Sequence, residues 1–393
     1  LGPTSSSAEL PSYPEAALAL PALQLEGVAI SQGQTGTLRI DYELTGTEDA
    51  IVTVDVQTNG VTLARSEVRS LSGDVNRRIK PGKRTAYWNA HQDISDVRLR
   101  SPNGVKVLVK AWSVVDPPDI MVVDLVKKQT VNYYETEAEL PEGRINCDSY
   151  KTTKMAFRRI RAGNVEWRMG SPLSEEPSAR NSVREAPHMV TLDDDFYIGV
   201  FEVTGAQFAL ISKGSSTGDR TAAGTKWYGD ARGAGQYWPK FAKPASGSVL
   251  DRLSVLAGGG DFDLPLEAQW EFACRAGSSD KYGSALDDDG HAYNVNLYEV
   301  AVYKNNGAVN QPVGQFKPNA YGLYDMLGNR YEYCRDMWGE DITTVNPNVG
   351  PASGGEYKYV LRGGDYRQYY TTCRCAARVY VTDSDAGSQY AGF

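Results

Sequence analysis

Histidine is scarce in this chain: 393 residues include only 3, at His91, His188 and His291. That shortage removes the commonest metal ligand and general base before any motif is sought. No apolar run approaches the roughly 18 residues that a spanning helix needs, so the sequence predicts no transmembrane segment. Positive charge is short as well. Lys and Arg total 41 against 49 Asp and Glu, a formal net charge of −8, which is the wrong sign for a phosphate backbone, and no nucleic-acid partner is expected. The 5 cysteines are an odd count, which weakens any reading in which all are paired. Residues 1–22 carry no charged n-region or apolar core of a signal peptide; rich in Ser, Pro and Ala, they read as a tether. A secreted or anchored protein stripped of its signal would start in this way, and so would a trimmed cytoplasmic chain.

What the chain has in quantity is tyrosine, 24 residues. Tyrosine offers a large, rigid contact surface with one polar handle, which suits recognition. Length predicts two domains. From about Leu23 to Val115, apolar residues alternate with polar ones, as in Leu38, Ile40, Tyr42 and Leu44, then Val52, Val54 and Val56, then Val105, Val107, Val109 and Ala111. Period two places one face in a core and one in solvent. An all-β, Ig-like sandwich over 23–118 is the expectation, with Trp88 and Trp112 as core aromatics. Pro117-Pro118 ends it, and 119–150 reads as a connector with a strand-like run from Ile120 to Leu125. Beyond residue 150 the texture changes to Gly-rich loops and scattered aromatics. One helix is predicted over Pro265–Ala273, with Leu266, Trp270 and Ala273 on one face. A second is predicted over Thr204–Ile211, with Thr204 as its N-cap.

Five motifs in this half occur in order: Met169-Gly170-Ser171-Pro172; Phe196–Thr204 (FYIGVFEVT); Leu264–Glu271 (LPLEAQWE); Asn319–Tyr333 (NAYGLYDMLGNRYEY); and Leu361-Arg362-Gly363-Gly364 leading to Gly392-Phe393. Together they resemble the formylglycine-generating-enzyme-like family of sulfatase-modifying factors, which implies an α+β C-type-lectin fold over 151–393. The resemblance does not extend to the N-terminal region.

The family's oxidases bind copper through two thiols that follow the Gly-Gly-Ser motif. Here Gln368 stands at the first thiol position, and the stretch after it is shorter, offering Tyr369, Tyr370, Thr371 and Thr372. Soft thiolates suit Cu(I) and these residues do not. The resemblance is greatest to variable proteins of diversity-generating retroelements, whose final segment is randomised at adenines. Over 365–391, Tyr366, Tyr369, Tyr370, Thr371, Thr372, Ala377, Val379, Tyr380, Val381, Thr382, Asp385, Ser388 and Tyr390 are all reachable from asparagine codons. With Arg367 they form the expected ligand surface, set in a fixed-looking frame of Arg362-Gly363-Gly364, Cys373-Arg374, Arg378 and Gly392-Phe393. A hypervariable, non-catalytic, receptor-like or adhesin-like binder of a protein or cell-surface ligand is the expectation. A non-diversified paralogue and a copper-dependent oxidase are the alternatives. The resemblance further implies a structural Ca²⁺ held by side-chain oxygens of Asp325 and Glu332 and backbone carbonyls of Gly328 and Arg330, hard donors that suit the ion. It also implies a Cys274–Cys375 disulfide, and an extracytoplasmic or cell-surface home in a bacterium or phage, the signal being absent from this chain.

Overall fold

The computed structural model describes residues 24–392 except 33–36, 59–60, 64–66, 95–104, 128–129, 173–174, 176–180, 214–217, 224–230, 232–242, 288, 308, 351–357 and 383–390. The described chain forms two compact units. One runs through Val123 and includes Val131–Cys147; the other comprises Asp124–Thr130 and the chain from Asp148 onward. The stretch expected as a connector is therefore divided between the two.

In the first unit, strands Gln24–Gln32, Thr37–Thr45 and Gly82–Asn89 form an antiparallel sheet. A second sheet centres on Ala50–Thr58, paired along its length with Val105–Ser113. Leu38, Ile40, Tyr42 and Leu44 from one sheet meet Val52, Val54 and Val56 from the other in a single core around Trp88. Trp88 is fully buried and donates its indole N–H to Asp93 Oδ2 at 2.8 Å. Trp112, expected in the core, is only half-buried and donates to Thr53 Oγ1 at 2.9 Å.

The central strand departs from the one-face-wet expectation: Ala50 through Val54 are all buried. The reason lies in the segment after Val131. Thr53 Oγ1 donates to Glu135 Oε1 at 2.9 Å, and Lys110 Nζ bridges Glu135 and Asp55, each at 2.9 Å. A buried hydroxyl and a half-buried ammonium need such partners, so 131–147 is a covering layer of this unit rather than a free connector.

The second unit is mixed α/β with mostly strands. Lys154–Ile160 pairs antiparallel with Phe196–Gly199, and Glu166–Met169 with His188–Thr191. A sheet of Tyr331–Met337, Lys358–Arg362 and Arg378–Thr382 carries the C-terminal segment. Both faces of this sheet are covered: Cys334 and Val360 enter one core with Trp270, while Tyr333, Tyr359, Leu361 and Val381 enter another with Leu250 and Leu264.

The two predicted helices occupy Gly205–Lys213 and Glu267–Arg275. Thr204 caps the first through a reciprocal pair, accepting from Gln207 N at 3.2 Å and donating its own N–H to Gln207 Oε1 at 2.9 Å. In the second, Leu266 takes the cap position, which leaves Pro265 just outside the helix rather than in its first turn. This helix is not amphipathic. Apart from Gln269 every residue is buried, including Glu267, Glu271 and Arg275.

Candidate ligand-binding site

The site is built on buried arginines. Arg362 is completely buried, pairs with Glu271, and donates Nη1 to the Ala377 carbonyl at 2.7 Å. Arg378 makes a two-pronged pair with Glu267, at 2.7 and 2.6 Å. Arg374 does the same with Glu185, at 2.9 and 3.0 Å, and also reaches Glu175 and Ser171. Bidentate guanidinium–carboxylate contacts fix orientation as well as position. The sequence frame Arg362, Arg374 and Arg378 is thus a set of internal bolts. The other motifs supply their counterparts: Gly170 N–H donates to Glu271 Oε1 at 2.8 Å, and Gly170 O accepts from Arg275 at 2.7 Å.

Gly364 explains its own place in the frame. Its φ is +79°, and a Cβ added there would lie 2.6 Å from Cys373 Sγ, so a side chain would be both strained and obstructed.

Between these fixed points the chain turns outward. Tyr369 is 51%, Tyr370 41% and Tyr380 38% exposed. Lys304 Nζ lies 4.0 Å from the Tyr369 ring centre and donates to its hydroxyl at 2.8 Å. Tyr380 packs on Trp338, ring centres 5.0 Å apart, with Lys358 Nζ 4.4 Å from its own ring centre.

Not every predicted ligand residue faces out. Ala377 and Val381 are each 6% exposed. Val381 belongs to the core with Tyr359 and Leu361, and Val379 is half-buried against it. The cause is the strand itself. Within Arg378–Thr382 side chains alternate, so an outward Tyr380 forces Val379 and Val381 inward. Ala377 is buried beside Arg362, whose Nη1 donates to its carbonyl. Those two positions are core, not ligand surface. Tyr366, Arg367, Thr371, Thr372 and Thr382 are half-buried. Arg367 folds back on Asp365, with a 2.7 Å contact from Nη2 to Oδ2. Thr372 donates to the Tyr369 carbonyl at 3.0 Å. Asp385, Ser388 and Tyr390 lie outside the described residues.

Four of the five thiols, those of Cys274, Cys334, Cys373 and Cys375, are buried. Cys274 and Cys375 touch, Sγ to Sγ at 3.2 Å, both buried; a disulfide requires about 2.05 Å, so the expected pair is brought together here as two thiols. Burial, and then the Cys375 contact, pushes the Cys274 thiol well above its usual range. Burial pushes Cys373 up to about 12 and Cys334 well above normal. Among the described residues, only Cys147 is a partly exposed thiol, and it belongs to the first unit.

The two carboxylates expected to hold calcium lie near each other. Asp325, at φ +57°, is buried and accepts from Gly314 N at 2.6 Å; Glu332 accepts from Trp270 Nε1 at 3.1 Å. Burial lifts the Asp325 carboxyl to about 6 and Glu332 to about 8, with Asp325 adding to the latter. Glu202 is a third acid here, buried like Asp325 whereas Glu332 is half-buried, and sequence reading did not single it out. It accepts from Asn329 Nδ2 at 2.6 Å and Arg330 N at 3.0 Å, and burial and the other two carboxyls raise it strongly. Hard oxygens crowded in a desolvated site are donors that suit Ca²⁺. Among the described residues, however, no three His, Cys, Asp or Glu side chains converge as a metal-binding group, so a cation would rely on backbone carbonyls as well.

Fold and site together define a mixed α/β domain in which a buried polar framework holds a tyrosine-bearing surface. The sulfatase-modifying factor enzyme 1-like domain family matches residues 146–393, and the chain belongs to that family. The formylglycine-generating enzyme of Bos taurus is 28% identical over 255 residues, which cover 52% of this chain and 66% of that enzyme. Among solved structures, PvdO from Pseudomonas aeruginosa is 26% identical, with TM-score 0.46, covering 63% of this chain and 94% of that one. Treponema denticola variable protein 1 is 22% identical, with TM-score 0.43, covering 61% and 94%. No helix among the described residues is long and apolar enough to cross a membrane.

Proposed function

We propose that this protein is a non-catalytic ligand binder of the diversity-generating-retroelement variable-protein type, with a C-type-lectin-fold domain that recognises a protein or cell-surface ligand through tyrosines of its C-terminal segment. The observation that carries this reading is the division of 362–382 into two populations. Arg362, Arg374, Arg378, Gly363 and Gly364 are buried and ion-paired or sterically confined, while Tyr369, Tyr370 and Tyr380 are exposed. Side chains of the second population can change without disturbing contacts made by the first, which is what a variable binding surface requires. Exposed tyrosines are where interface energy concentrates.

The decisive observation lies in the flanking DNA. A reverse transcriptase gene and a near-identical repeat of the segment's coding sequence, differing at adenines, are expected; their absence would reduce the reading to a binding paralogue without diversification.

The names of the 28%-identical relatives favour a second reading, a copper-dependent formylglycine-generating oxidase. Against it stand Gln368 at the first thiol position and the elevated, buried thiols of Cys373 and Cys274. Incubation with Cu(I), oxygen and a Cys-x-Pro-x-Arg peptide is expected to yield no aldehyde, and a clear yield would establish the oxidase instead. Three smaller proposals accompany the main one. The two-sheet N-terminal unit is an Ig-like presenting domain, Asp325 and Glu332 with the Gly328 and Arg330 carbonyls hold a structural Ca²⁺, and the Cys274–Cys375 pair oxidises in an extracytoplasmic or cell-surface setting.

A further inference from the structure

Two lysines outside the C-terminal segment each grip one of its exposed tyrosines. Lys304 is placed by its own backbone, which donates to the Gln368 carbonyl at 3.0 Å, immediately before Tyr369. Its ammonium then lies 4.0 Å from the Tyr369 ring centre and 2.8 Å from the hydroxyl. Lys358 is placed by sheet register. Val360 pairs with Tyr380 across the strands, so Lys358 and Tyr380 are diagonal neighbours on one face, and Nζ comes within 4.4 Å of the ring centre.

Charge around these pairs runs against the chain as a whole. Among the described residues Lys304 makes no ion pair, and its ammonium meets the Tyr369 hydroxyl and ring. Beside Tyr380, among the described residues, Arg184 and Lys358 stand near the exposed carboxylate of Glu340, which pairs with Arg184 at 2.6 Å. Arg378 is neutralised by Glu267. Among the described residues, Tyr369 and Tyr380 therefore each sit beside an ammonium group, on a molecule of net charge −8.

We infer that Lys304 and Lys358 are ligand-binding residues, and that the ligand of this surface is an acidic polypeptide, presenting Asp or Glu side chains to the two ammonium groups while apolar atoms pack on the tyrosine rings. This rests on the reading of the tyrosine surface given above. A tyrosine held by a cation loses less freedom on binding, and the cation gives complementary charge that steers an acidic partner. A polynucleotide fits worse, because two lysines offer little counterion release against the repulsion of a net negative chain.

The test uses the full chain, displayed random peptides selected on it at low salt, and a single-stranded oligonucleotide. Selected peptides should be rich in Asp and Glu. Their affinity should fall about tenfold in the Lys304→Gln, Lys358→Gln double variant, mainly through slower association, with a flatter salt dependence. Tyr369→Ala and Tyr380→Ala should also abolish binding. Binding lost in the tyrosine variants but unchanged in the lysine variants would overturn the acidic-ligand inference and leave the tyrosine surface standing. Binding unchanged in all three variants would overturn both. Neutral or basic selected peptides, no selected binder at all, or binding of the oligonucleotide alone would likewise overturn the inference.

Discussion

Arg374→Met tests whether the arginine frame is internal support rather than part of the ligand surface. The Arg374 side chain is 2% exposed and faces two carboxylates that are themselves buried, Glu175 at 4% and Glu185 at 7%. Methionine keeps much of the volume but strands both acids. Removing one partner of a buried pair costs about 3–5 kcal/mol, because the remaining charge has lost both water and its counterion. That is a large fraction of the 5–15 kcal/mol by which domains are stable.

The loss should depend on pH in a definite direction. Burial already raises the Glu175 carboxyl, against the opposing pull of Arg374; without that pull its folded-state value rises further. A raised acid binds a proton more tightly folded than unfolded. The variant's deficit should therefore be smallest below the ordinary carboxylate range, and should grow as pH rises through the elevated folded value. Urea unfolding of wild type and variant at pH 5 and pH 8 measures this. Adding Glu175→Gln and Glu185→Gln should recover part of the loss at pH 8, as coupled neighbours do. A deficit below about 1 kcal/mol, or one equal at both pH values, would refute the buried-bolt account.

Three further outcomes are expected. Tyr369→Ala, Tyr370→Ala and Tyr380→Ala together should abolish ligand binding with little change in melting temperature, since exposed substitutions stay within about 0.5 kcal/mol each; a large stability loss would show them to be packing residues. Val381→Ala should do the reverse, lowering stability by about 2 kcal/mol through an emptied core position while binding survives at saturating ligand. In chelator, stability should fall as pH rises from about 4.5 towards about 8, because the Glu332 carboxyl is raised to about 8 and holds its proton in the folded state. Glu332→Gln should flatten that slope, leaving the part due to the raised Asp325 and Glu202 carboxyls, and added Ca²⁺ should stabilise the wild type at high pH; a melting temperature that rises with pH and ignores calcium would contradict both.

Much of the second unit was legible because its motifs are themselves buried polar contacts. Met169–Pro172, the 264–271 helix and the arginines of the last segment could be read in order, and they prove to be partners: Arg362 and Arg378 of Glu271 and Glu267, and Arg374 of Ser171. The alternation that predicted the strands of the first unit was equally local. What alternation did not reveal is how many faces a strand buries. Ala50–Val54 is wrapped on both sides because Glu135, remote in sequence, covers it.

The sequence by itself determined the family, the scaffold motifs, the replacement of the first copper thiol position by Gln368, and the tyrosine wealth of the final segment. It could not sort that segment into outward and inward residues. Codon reachability is blind to direction, whereas a strand is not: with Tyr380 on Trp338, Val381 must enter the core. Nor could it find Lys304 and Lys358, since a lysine far along the chain has no local signal of the ring it covers. Those assignments came from tertiary structure, where a backbone bond to Gln368 and the register of Val360 on Tyr380 bring distant residues to the same surface.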